Sequence, residues 1–197
     1  MASIEDLKSI VNAGQGFADA TQYLVEMPEI PGSSLSASER NTLCRVTRLP
    51  GRQILTTQRD VGIMKQQMSI GYAVANVGLS FHVLNDYKTR KYFDAWLNLI
   101  VDQDTQQIKF ADNYKKTVKI YQLKKASGFK ETNKDFKPFG SNSSSINSPT
   151  SGSIVYGVEL ESAFPITVNG IDLTDASNDQ PVEVSIELSY KNWKQIA

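Results

Sequence analysis

Residues 67–101 change hydrophobic period part-way along, and that change limits the available folds more than any other feature of the chain. Val77, Leu79, Phe81 and Val83 alternate with Gly78, Ser80, His82 and Leu84, the period-two pattern of a strand with one buried face, which predicts one long strand over 67–84. From Tyr92 the apolar residues fall at Tyr92, Phe93, Trp96, Leu97 and Ile100, a single stripe of a helix spanning about 86–101. Asn85 or Asp86 is placed to cap that helix, offering a side-chain oxygen to its first free amides. A stripe carrying three large aromatics needs a sheet to lie on.

The remaining segments supply that sheet. Residues 1–13 read as a short amphipathic helix, with a capping box of Ser3 and Asp6 and an apolar face of Ile4, Leu7, Ile10 and Val11. So short a helix is marginal alone, so its platform is expected to be either its own domain or a neighbouring subunit. Residues 22–30 and 42–49 read as two strands of a hairpin with a long tip at 31–41, and 52–65 as an excursion without clean periodicity. Further strands are expected at 117–123, 154–160 and 182–190. The stretch 140–153 has no charge and one aliphatic residue, which predicts a flexible loop at about 128–152. The expected fold is mainly β: a single domain over 1–197, a β-sandwich or barrel of about six to seven strands with one flanking helix and the short N-terminal helix.

Little chemistry is written into the side chains. The chain has one histidine, His82, and one cysteine, Cys44, too few for a catalytic triad, a zinc site or an internal disulfide. Asp172, Asp175, Ser177 and Asp179 imitate a calcium loop, but counted from Asp175 the glycine position is Gln180 and the glutamate position is Ile186. Lys115, Lys116, Lys119, Lys124 and Lys125 cluster without interleaved aromatics, which fits a solvated edge strand guarded by lysines better than a nucleic-acid platform. Twenty-one basic residues balance twenty-one acidic ones, so no global field draws in nucleic acid or membrane. With no apolar leader or membrane-length run, the expectation is a soluble protein made in a reducing compartment, with no cofactor, no metal and no enzymatic activity.

In order along the chain, four stretches resemble the tail tube proteins of contractile-tailed bacteriophages, a family related to the type VI secretion tube protein. These are residues 17–26; residues 44–51, Cys-Arg-Val-Thr-Arg-Leu-Pro-Gly; the strand–Asn85–Asp86–helix junction running to Trp96; and the Phe164-Pro165 turn together with the terminal Tyr190 and Trp193. The long tip at 31–41 and the Ser/Asn-rich loop stand out as insertions relative to a minimal tube subunit.

The resemblance implies a structural virion protein, made in the host bacterial cytoplasm. Its subunits would form six-fold rings that stack into a hollow tube, surrounded by a contractile sheath, joined to baseplate proteins and conducting DNA through its lumen. A baseplate tube initiator of the same fold is the alternative, and a soluble carbohydrate- or ligand-binding sandwich a weaker one. Strands with a polar second face suit an aqueous lumen, which makes Ser80, His82, Glu183, Ser185 and Glu187 candidate lumen-facing or partner-facing residues. The aliphatics of the excursion are more than one domain easily covers, so Leu49, Pro50, Arg52, Ile54, Leu55, Arg59, Ile63 and Met64 are candidate inter-subunit contacts.

Overall fold

The computed structural model describes residues 3–13, 17–124, 154–171 and 181–196. The elements in chain order are α1 (Ile4–Ala13), β1 (Tyr23–Glu26), α2 (Ala37–Thr42), β2 (Cys44–Thr47), β3 (Arg52–Val61), β4 (Met64–Val74), β5 (Val77–His82), α3 (Lys88–Ile100), α4 (Ala111–Tyr114), β6 (Lys116–Leu123), β7 (Ile154–Val168), β8 (Glu183–Ser189) and β9 (Asn192–Gln195). Seven strands form one antiparallel sheet in the order β1-β6-β7-β8-β5-β2, with β9 also paired to β7, while β3 and β4 make a separate two-stranded sheet. The class is mainly β, as expected, with nine described strands rather than six or seven.

The large sheet turns a corner within β7. Residues 154–163 of β7 pair with β6, and 158–161 also pair with β9; from Phe164 onward the partner is β8. Ser162, two residues before the change of partner, is at φ 56°, a left-handed conformation that kinks the strand, and Pro165 follows beside a register shift, where a strand tolerates proline. Val118, Ile120, Val158 and Leu160 from one half then share a core with Val77, Leu79, Phe81, Val184, Ile186 and Leu188 from the other. The gap between edge strands β1 and β2 is bridged by the Tyr23 hydroxyl, which donates to the carbonyls of Cys44 (3.2 Å) and Arg45. The result is a barrel left partly open.

Helix α3 fills the core as its stripe requires: Tyr92, Phe93 and Trp96 are each at most 1% exposed. Phe93 meets Phe81 at 5.1 Å between ring centroids, the Tyr92 hydroxyl donates to the Pro28 carbonyl (2.7 Å), and Trp96 Nε1 donates to the Tyr114 carbonyl (2.8 Å). Both polar tips therefore keep partners on burial, which their desolvation demands.

Several sequence expectations are corrected. Residues 67–84 are two strands, β4 and β5, interrupted at Ala75 and Asn76. The helix cap is Tyr87, left-handed at φ 55° and without a side-chain cap bond, although Asp86 Oδ1 accepts from the Lys88 amide (3.1 Å). Strands β1 and β2 are not a hairpin: they sit at the two ends of the sheet order, and α2 occupies the tip between them, with a capping box of Ser36 and Glu39. The lysine-bearing β6 is an interior strand, and Lys119 pairs with Glu26 across it (3.6 Å). The capping box of Ser3 and Asp6 on α1 is present. The loop at 128–152 lies outside the described residues, as do Asp172, Asp175, Ser177 and Asp179. Among the described residues no helix is long and apolar enough to cross a membrane.

Candidate assembly surfaces

Residues 52–74, whose first half has no period as a sequence, form a β-hairpin. Its turn is the two-residue Gly62-Ile63 with Gly62 at φ 65°, the first-position glycine of a type II′ turn, whose twist matches that of the flanking strands. Ten cross-strand pairs run from Arg52↔Val74 to Val61↔Met64, with a bulge that leaves Ile70 as the extra residue between Leu55↔Gly71 and Thr56↔Ser69. At about 3.3 Å per residue the arm is roughly 33 Å long.

Partners opposite one another share a face, so beyond the bulge the hairpin is two-sided. One face carries Thr56/Ser69, Gln58/Gln67 and Asp60/Lys65; the other carries Thr57/Met68, Arg59/Gln66 and Val61/Met64. Every residue from Arg52 to Tyr72 is exposed, including Ile63 at 105% and Met64 at 73%. The arm does not fold back over its own barrel.

Only its base is tied down. The Arg52 guanidinium lies between the rings of Tyr72 (5.1 Å to the centroid) and Trp193 (4.8 Å) and donates to Asn192 Oδ1 (3.3 Å) and the Trp193 carbonyl (3.4 Å). Tyr190 donates its hydroxyl to the Ala75 carbonyl (2.8 Å) where the hairpin leaves the barrel. Of the candidate contacts, Ile54, Leu55, Arg59, Ile63 and Met64 are thus on the free arm, and Arg52 anchors it to β9. Leu49 is exposed beside a groove of about 490 Å³ lined also by Tyr23, Arg45, Arg48 and Tyr121, and Pro50 is half-buried just before the arm.

A second surface collects the other candidates. Cross-strand pairing places Gly78 opposite Glu187, Ser80 opposite Ser185 and His82 opposite Glu183, so Ser80, His82, Glu183, Ser185 and Glu187 all lie on the outer face of β5 and β8. Ser80 and Ser185 share a hydrogen bond (2.9 Å), Asn76 donates to Glu187 (3.1 Å), and Arg45 forms an ion pair with Glu183. Arg48, Thr167 and Asn169 extend this face into a shallow trough of about 470 Å³. His82 Nδ1 is the exception to its hydrogen bonding, buried and without a partner.

No group of three or more potential metal ligands occurs among the described residues. Cys44 is the sole thiol, and burial pushes it up to about 12, far from the range of a nucleophilic thiolate. What both surfaces offer instead is unpaired area for other protein or solvent.

The family model for phage tail tube proteins matches residues 16–196. The chain belongs to the phage tail tube protein family. No protein of curated function matches its sequence. Solved structures share the tube fold. The sheath/tube terminator of an extracellular contractile injection system in its extended state aligns with a TM-score of 0.59 at 13% identity, over 91% of this chain and 96% of the other. The tube-terminating cap of the anti-feeding prophage gives 0.59 at 13% identity over 91% of both chains. A chain of the injection system's extended sheath-tube complex gives 0.57 at 14% identity over 96% and 97%. This family member is therefore a structural component of a phage tail or tail-like particle.

Reading β4 as one strand with β5 leaves Met68, Ile70 and Tyr72 off the arm, while Val61, on β3, falls in the 52–65 excursion but not among the candidate contacts. The available signal is Gly62-Ile63, a II′ turn dipeptide between a stretch with Ile54, Thr56, Thr57 and Val61 and one with Ile70, Tyr72 and Val74.

Proposed function

We propose that the protein is the repeating subunit of a hollow tube, six copies to a ring, with rings stacked inside a contractile sheath and DNA passing along the lumen. The exposed β3–β4 arm carries this reading. An isolated two-stranded hairpin is marginally stable in water, and an amphipathic arm of this length gains a platform only from a neighbouring copy. Leu55, Val61, Ile63 and Met64 would bury most of the apolar area, with Arg59 setting register at the rim.

The β5–β8 face supports the lumen half of the reading. Two guanidiniums, Arg45 and Arg48, stand with two carboxylates, Glu183 and Glu187, so the face is near neutral. A polyanion moving along it releases few counterions and is not held, which suits passage rather than binding. The likeness to tube terminators supports a second reading, a subunit at one end of the tube. Negative-stain microscopy of the purified protein separates these: stacked rings or tubes are expected of the repeating subunit, and single rings that do not stack of an end subunit. Monomers at every concentration would contradict both.

A further inference from the structure

Helix α1 and the seam between β1 and β2 are each left unfinished by their own chain. No residue of α1 is buried, and Ile4 is 73%, Leu7 56% and Ile10 68% exposed. A helix of ten residues is marginal alone and needs a surface to lie on. Ile4, Leu7 and Val11 are spaced i, i+3, i+7 with Ile10 beside them, the spacing by which an amphipathic helix anchors in a groove. The seam is such a groove. Its two strands end the sheet order, and neither has a second strand partner among the described residues. Val46, 51% exposed, and Leu49, 41% exposed, line it together with the rings of Tyr23 and Tyr121. Thr47 lines it too, and its Oγ1 has no hydrogen-bond partner among the described residues, so the wall still offers a polar group to a ligand. Arg45 and Arg48 stand at the rim; Arg45 is paired with Glu183, while Arg48 is exposed and has no ion-pair partner among the described residues. Against them α1 carries Glu5 and Asp6 in its first turn and Lys8 behind, a net charge of −1.

We propose, resting on the tube reading for the presence of a neighbouring copy, that α1 of one copy lays Ile4, Leu7, Ile10 and Val11 into the β1–β2 groove of another and closes the seam of its barrel. The helix face and the groove are both exposed within a single chain, so they do not satisfy each other there. A helix given by one copy and a groove offered by the next make a heterologous contact, in which every copy is donor and acceptor at once. Arg48 steers the acidic first turn of α1 to the rim, while the aliphatics supply the affinity. The docked helix also covers the free edges of β1 and β2, which are otherwise open to stray strand pairing. This contact is separate from the β3–β4 arm and shares no residue with it.

The test is disulfide trapping in full-length protein with Cys44→Ser as background. Leu7→Cys marks the helix, Val46→Cys the groove, and Leu49→Cys is a second groove variant; all three positions are exposed, and circular dichroism confirms that each variant is folded. Lys91→Cys, on the exposed side of α3 and outside the groove, is the control. Under mild oxidation, a mixture of the helix variant with either groove variant is expected to give covalent dimers roughly tenfold or more above the mixture with the control, because docking raises the local thiol concentration far above the bulk. Neither variant alone should do so. No excess over the control with both groove variants overturns the contact. A Leu7→Cys, Val46→Cys double variant is expected to link copies into dimers and longer chains; a disulfide closed within a monomer would give α1 to its own groove and overturns the proposal equally. Trapped dimers without rings or tubes by electron microscopy overturn the tube reading and leave the contact standing, whereas tubes from wild-type protein with no trapping overturn the contact alone.

Discussion

Strand β5 and the β3–β4 arm are separated by two residues, since β4 ends at Val74 and β5 begins at Val77, yet they answer to different surroundings. In β5, Val77, Leu79 and Phe81 are at most 2% exposed, and their partners Val184, Ile186 and Leu188 at most 3%. In the arm nothing from Arg52 to Tyr72 is buried, although it contains as many aliphatic residues as a core strand. One strand completes its apolar contacts inside its own chain. The other leaves them exposed, which the tube reading assigns to contact with a second chain, and a sequence pattern alone does not distinguish these two uses of the same residue types.

The largest effect separating the two regions is expected in the core. Trp96→Ala removes a fully buried indole that packs on Tyr92 and donates to the Tyr114 carbonyl. The loss should be about 3–5 kcal/mol, read as a fall in the urea midpoint of isolated subunits. A loss below about 1 kcal/mol would mean that α3 is not part of the cooperative core.

An intermediate effect belongs at the joint between the regions. Arg52→Ala removes two ring contacts and two hydrogen bonds from an exposed site, and such a cation–π contact is worth about 0.5–1 kcal/mol each. Subunit stability should fall by roughly 1–2 kcal/mol at most. Emission from Trp193 should change at the same time, because the guanidinium over its ring is gone; unchanged emission would show that the arm is held by something other than Arg52.

The same contrast explains what could be read from the sequence. The α3 stripe and the alternation of β5, β7 and β8 were legible because each element buries one face against its own chain, and burial is what imposes a period. The arm was illegible because strands exposed on both faces have no reason to alternate, and Met64 to Val74 therefore ran on into β5 without a visible seam. Pairing partners were hidden too. Strands β1 and β2 are near neighbours in sequence and looked like a hairpin, but each finds a distant partner, β6 and β5, which no local pattern encodes. The left-handed Tyr87 and Ser162 carry side chains that disfavour that conformation, so the helix cap and the corner in β7 had no turn signature. Of the candidate residues, the five on β5 and β8 converge on one face because the alternation of those strands shows which side is buried, whereas the list for the arm stops at its turn.

The central claim is that the β3–β4 arm is completed by another subunit. Amide hydrogen exchange, followed residue by residue in dissociated subunits and in assembled protein, tests it most directly. In free subunits the arm's amides from Gln53 to Tyr72 should exchange near the rate of an open hairpin, while those of β5 and β8 remain protected. On assembly, exchange in the arm should slow by roughly a hundredfold or more, the equivalent of about 2.8 kcal/mol, with β5 and β8 changing much less. Strong protection of the arm in free subunits, or no change in it on assembly, would contradict the claim.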